Sequence, residues 1–184
     1  MNKFAWLGVL SIATMTTVAW ADTQPYSPET QSRIRIYGQN QKPTILHFEQ
    51  DGKTKKINLG GSLGSAFGSF VGVAKNKSIG IPATEHSQNV QQKNGFLSKM
   101  TYQEFVIPAN KAVKVRTAFQ GLSNVNHAEK ITTIHYQGSC QSDTLHFTPK
   151  AGKDYEVIPS ASGCAGADLL EIHADGKTSL VQFN

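Results

Sequence analysis

Residues 33–39, RIRIYGQ, set basic and apolar side chains in strict alternation over their first four positions. A period of two sends successive side chains to opposite faces, so this run reads as a strand with one apolar face. Short runs of the same texture recur along the chain: TILHFEQ (44–50), KTKKINL (53–59), YQEFVIP (102–108), KAVKVRTAFQ (111–120), ITTIHYQ (131–137), TLHFTP (144–149), DYEVIPS (154–160), LLEIHA (169–174) and KTSLVQF (177–183). Turn chemistry separates several of them, with Asp51-Gly52 and Asp175-Gly176 as hairpin signals and Ala109-Asn110 joining two further runs. Helical periodicity is confined to residues 60–75. Many short strands between turns predict an all-β fold, an antiparallel β-sandwich of the Ig-like or transthyretin-like kind, with one Gly-rich insertion at about 60–75. A small membrane barrel would also alternate, but these strands are short for one and aromatic residues do not sit at their paired ends.

The N-terminus reads differently. Lys3 precedes an apolar run that ends in Ala19-Trp20-Ala21, the charged, apolar and small-x-small sequence of a cleaved secretory signal peptide over 1–21. No cysteine follows that cleavage site, so lipid attachment is not expected there. The expected order is therefore a signal peptide (1–21), a proline-bearing polar tail (22–32) and one sandwich domain (33–184). Export, to the periplasm or beyond the cell, implies an oxidising environment, in which Cys140 and Cys164 are expected to form a disulfide. The formal net charge of +5 is spread along the chain without an arginine-rich, aromatic-interleaved run, which argues against nucleic-acid binding. Contact with an anionic membrane surface is compatible with that charge.

Three patterns bear on chemistry. Gly60-x-Ser62-x-Gly64 spells a nucleophile elbow, but an elbow needs β/α units before it, and here only hairpin-like strands precede Ser62. The same stretch spaces Gly60, Gly64, Gly68 and Gly72 four apart, with Leu63 and Phe67 beside them, which reads as a stripe for close packing, self-association or membrane contact. Finally, if 131–137 paired with 144–148 about a turn at 140–141, His135 and His146 would lie opposite each other, close enough for two imidazoles to share a metal. Zinc or copper sites want three or four ligands, and the sequence fixes no third. No phosphate-binding loop, dinucleotide fingerprint or zinc-protease motif is present, so no enzyme and no cofactor are expected.

The text YQEFVIPANKAVKVRTAF followed by LHFTPKAGKDYEVIP resembles a turn-and-strand pattern of small exported bacterial β-proteins with Ig-like or transthyretin-like sandwiches. Its second element is Phe147-Thr148-Pro149-Lys150-Ala151-Gly152-Lys153-Asp154-Tyr155. The resemblance implies a fold and an envelope setting and carries over no functional residue. The expected function is a non-catalytic envelope binding or structural module, partnered by another envelope protein, a peptide or the membrane surface. The alternatives are metal binding through His135 and His146, and self-association through the glycine stripe.

Overall fold

The computed structural model describes residues 25–39, 41–61, 76–90, 100–128, 131–162 and 164–184. The expected signal peptide, Ser62 and the stripe residues Leu63, Gly64, Phe67, Gly68 and Gly72 lie outside them. Among these described residues, twelve strands and a single helical turn run in the order β1 (Gln31–Gln39), β2 (Thr44–Gln50), β3 (Lys53–Leu59), α1 (Glu85–Gln88), β4 (Met100–Pro108), β5 (Val113–Phe119), β6 (Leu122–Ala128), β7 (Ile131–Gln137), β8 (Cys140–Gln141), β9 (Leu145–Phe147), β10 (Asp154–Pro159), β11 (Ala167–Ile172) and β12 (Thr178–Val181).

These make the expected sandwich. Sheet A has the order β12-β11-β10-β1-β4, and sheet B the order β3-β2-β5, with β8 and β9 both paired to β5. β6 and β7 form a separate two-stranded ribbon. Alternation decides what the sheets bury between them. Ile34 and Ile36 of β1, Val157 of β10 and Leu169 of β11 meet Leu46 and Phe48 of β2, Val113 and Val115 of β5 and Phe147 of β9 in one core. The hairpin signal at Asp51-Gly52 is realised between β2 and β3, with both residues at positive φ (53° and 70°), as a type I′ turn requires. β4 and β5 instead fall in different sheets, so Ala109-Asn110 turns a corner between the layers. One pairing departs from the antiparallel expectation: β1 runs parallel to β10, with Ile34 beside Tyr155 and Ile36 beside Val157.

The end of β1 passes close to the end of β3. A Cβ on Gly38 would overlap the Leu59 carbonyl, and one on Gly60 (φ 95°) would stand 2.6 Å from the backbone of Gln39. Gly60, the first glycine of the predicted stripe, is thus explained by two backbones in contact at a strand end. The expected cost of Gly38→Ala is about 2–3 kcal/mol, at the upper end of overpacking penalties because backbone rather than a side chain must give way. A shift in the urea midpoint at unchanged m-value checks it, and a midpoint within error of the parent would contradict the close approach.

The second surprise of the fold is a covering. The segment 76–90 crosses the outer face of sheet A as a strap. Lys77 forms a parallel bridge to Gln103, donating to the Tyr102 carbonyl at 3.1 Å and accepting from the Glu104 amide at 3.0 Å. At its far end Thr84 caps α1: its hydroxyl accepts from the Ser87 amide (3.1 Å) while the Ser87 hydroxyl accepts from the Thr84 amide (2.9 Å). This capping box lies in a stretch whose polarity and lack of periodicity gave no helix signal, and Thr84-x-x-Ser87 was the local cue available.

Candidate functional site

Because β1 is covered on both faces, Arg35 is buried rather than solvated and Arg33 is half-buried. Arg35 is 1 % exposed. Register places it between Glu104 of β4 and Glu156 of β10, and continues the row to Leu170 of β11 and Leu180 of β12. The row reads Glu, Arg, Glu, Leu, Leu across five strands, and the strap covers its charged part.

Arg35 donates from Nε and Nη2 to Glu104 Oε1 (2.9 and 2.7 Å), and from Nη2 to the Ile81 and Pro82 carbonyls of the strap (both 3.0 Å). Tyr102 stacks its ring 5.1 Å from the guanidinium. Glu104 Oε2 accepts from the Ser78 hydroxyl and the Ile79 and Ile81 amides (2.8, 2.6 and 3.2 Å). Burial opposes the Arg35 charge, yet the hydrogen bonds to Glu104 and the surrounding negative charge hold its pKa above the ordinary value. Next to it Arg33 pairs bidentately with Asp154 (2.7 and 2.6 Å) and reaches the Gly80 carbonyl at 3.2 Å. The strap is therefore held down by Arg33, Arg35 and Glu104, and by Glu156 through Thr84.

Glu156 is treated differently. Its Oε1 accepts from the Tyr37 and Thr84 hydroxyls, the latter at 3.0 Å, and stands 3.7 Å from Arg35 Nη1. Burial first, then the Glu156 charge and this hydrogen bond, push the Tyr37 hydroxyl far above the usual tyrosine range, so Tyr37 stays a donor. Oε2 of Glu156 is buried and has no hydrogen-bond partner. Glu156 also contributes to the wall of a cleft of about 700 Å³ between α1 and the β11–β12 turn, lined by Ala83–His86, Gln88, Asn89, Glu156, Leu170 and Asp175–Thr178.

A second site lies on the outer face of sheet B. Four strands present one row there: Lys56 (β3), His47 (β2), Lys114 (β5) and His146 (β9), each the register partner of the next. Arg116, two positions along β5, is fixed by hydrogen bonds from Nε and Nη2 to the Thr144 hydroxyl (3.3 and 2.7 Å) and from Nη1 to Gln141 (3.2 Å). These residues surround a depression of about 340 Å³ floored partly by Ile45 and Val115. The acids of the described residues' ion pairs all lie elsewhere, on Asp154, Glu104, Glu156, Glu171 and Asp175, so no ion pair neutralises Lys56, Lys114 or Arg116. Partial burial, then Lys56, Arg116 and Lys114, push the His47 pKa below its ordinary value. Like charges on adjacent strands are unfavourable. Lys56, Lys114 and Arg116 thus converge on the depression as a concentration of positive charge.

The predicted strand pairing behind the histidine site does not form. β7 pairs with β6, which sets His135 opposite Asn124, while β9 pairs with β5, which sets His146 opposite Lys114. The turn-symmetry reasoning failed because β8 intervenes and both short strands add to β5. The His135 side chain lies outside the described ones. Among the described residues no three His, Cys, Asp or Glu side chains gather as a metal needs. Sequence reasoning also passed over His47, whose place in the row follows from the Asp51-Gly52 hairpin it had recognised. Cys140 and Cys164 do bond, their Cα atoms 5.7 Å apart. Comparison with known proteins finds no matching family model, no matching curated protein and no matching solved structure.

Proposed function

We propose that the protein is an exported, non-catalytic module of the cell envelope that docks on anionic, phosphate-bearing lipid surfaces through the outer face of sheet B. The observation that carries this reading is the uncompensated row Lys56–His47–Lys114–His146 with Arg116 beside it. Adjacent strands are about 4.8 Å apart, so the row spaces four cationic or protonatable groups over roughly 14 Å on a sheet face, where several headgroup phosphates are met at once. Export and the absence of catalysis rest on the sequence: the signal-peptide pattern and the wrong context for an elbow at Ser62.

Vesicle flotation tests it. Binding to vesicles with anionic lipid is expected, with none to zwitterionic vesicles and release by high salt. Removing both lysines in Lys56→Ala/Lys114→Ala should weaken binding about 30-fold, since each basic residue near such a surface contributes about 1 kcal/mol. Equal binding to both vesicle types, or an unaffected double variant, would overturn the reading.

The pH dependence has a definite sign. His47 is held neutral at neutral pH by desolvation and its three cationic neighbours. An anion brought against it favours the imidazolium, so docking takes up a proton and strengthens as pH falls below about 6.5. The other groups facing it are His146 across β5 and Glu49 two positions along β2. Affinity should therefore rise from pH 7.5 to 5.5, and the rise should shrink in His47→Gln; an unchanged profile in that variant would remove His47 from the site.

A further inference from the structure

We infer that the cleft between α1 and the β11–β12 turn is a binding site for an organic cation: a primary amine or guanidinium carried on an apolar body. It lies on sheet A, is independent of the lipid-docking face, and either can be right without the other.

Charge is the first ground. The buried cluster under the strap holds two carboxylates, Glu104 and Glu156, against the one guanidinium of Arg35. Glu104 is fully used, receiving Arg35 on one oxygen and three strap donors on the other. Glu156 is not. Its Oε2 is buried without a partner on a residue that forms part of the cleft wall. A buried carboxylate oxygen without a donor is rare in folded proteins and calls for a partner. The rim adds one net negative charge, from the exposed Glu85, since its Lys177 and Asp175 pair with each other at 3.0 Å.

Shape and polarity give the rest. Leu170, the register partner of Glu156, lies in the cleft lining, and the next residue across the sheet, Leu180, is 62 % exposed. A ligand with its charged head at Glu156 thus has apolar surface in line behind the head. A metal ion is the wrong occupant, because the cleft's acids do not converge: no group of three His, Cys, Asp or Glu side chains gathers among the described residues. A charged head that makes directional N–H bonds and carries a carbon skeleton fits both halves.

The experiment is an amide-resolved NMR titration of the ¹⁵N-labelled mature chain with benzylamine, using benzyl alcohol as its neutral counterpart. Saturable shifts confined to Thr84–Asn89, Leu170 and Asp175–Thr178 are expected with benzylamine, and at least tenfold weaker binding with benzyl alcohol. Glu156→Gln keeps the shape and removes the charge, and should cost at least tenfold in amine affinity. If that variant does not fold, Leu170→Lys supplies an ammonium from the neighbouring strand and should abolish the benzylamine response in a folded protein. The inference is overturned if benzylamine gives no saturable shifts, if both probes bind alike, or if the folded variants bind benzylamine as the parent does.

Discussion

Arg35→Ala is expected to destabilise the protein by about 3–5 kcal/mol, the range found when one partner of a buried ion pair is removed. The loss would have three sources. Glu104 and Glu156, both buried, would be left as two carboxylates with no cation between them. The strap carbonyls of Ile81 and Pro82 would lose their donors. A side chain filling the space between sheet and strap would also vanish, leaving a void. The network itself is not thereby a large net source of stability, since desolvating three charges offsets much of what their pairing returns. Replacing the whole set with apolar residues, Glu104→Leu/Arg35→Met/Glu156→Leu, removes the stranded charges. It also takes the acceptors from the Ile79 and Ile81 amides and the Tyr37 and Thr84 hydroxyls, so it too should destabilise, through lost strap hydrogen bonds rather than unpaired charge. Chemical denaturation of both variants makes the comparison. Hydrogen exchange at the Ile79 and Ile81 amides would show whether the strap opens before the sandwich does. A single variant that loses under 1 kcal/mol would mean that the strap can turn its glutamates to water at little cost.

Removing the disulfide as Cys140→Ser/Cys164→Ser should cost about 3 kcal/mol, from the entropy an unfolded chain regains when a loop of this length is no longer closed. The structure adds a local reason. Cys140 belongs to β8, a two-residue strand at the edge of sheet B, and Cys164 to the loop between β10 and β11 of sheet A. The bond thus ties the two layers at one end, beside the Thr117 hydroxyl that donates to the Gly166 carbonyl at 3.1 Å. Without it β8 is held by the Ala118–Gln141 and Phe119–Cys140 pairing and the Arg116–Gln141 hydrogen bond, and would fray first. Denaturation with and without a reductant measures the effect on the parent chain. Coincident midpoints would show that the layers need no covalent tie.

The two-sheet architecture was written in the sequence wherever alternation met a turn. Ile34, Ile36, Leu46, Phe48, Val113 and Val115 all fall on the inner face that a period of two assigns them. The strap was not, because alternation reports which face is apolar and cannot say that the polar face is covered too. RIRIY reads as a strand with solvated arginines; Arg35 is instead buried by a segment 41 or more residues later whose own sequence is polar. The signal that existed was chemical rather than periodic. Glu104, Glu156 and Thr84 each interrupt apolar or unpatterned stretches, and only three-dimensional register brings them to one guanidinium. The basic face was half legible. KTKK and KAVKVR are plainly charged, but that Lys56, His47, Lys114 and His146 form one row depends on β2 lying between β3 and β5 and on β9 adding to β5. The histidine pair failed for the complementary reason: neighbours in sequence were assumed to be neighbours in the sheet.

The parallel pairing of β1 with β10 sets an order of events. β1 lies second from the edge of sheet A, between β4 and β10, and its β10 contacts span Arg33–Asp154 to Ile36–Val157. Loop-closure entropy for so distant a pair must be met before the contact returns anything, which makes such topologies slow to fold. A chain delivered from its N-terminus therefore carries β1, Arg35 included, exposed on one edge until residues 154–159 have emerged. Its vulnerable interval, to proteolysis or to wrong pairing at that edge, is set by delivery of β10 rather than by the stability of the finished sandwich.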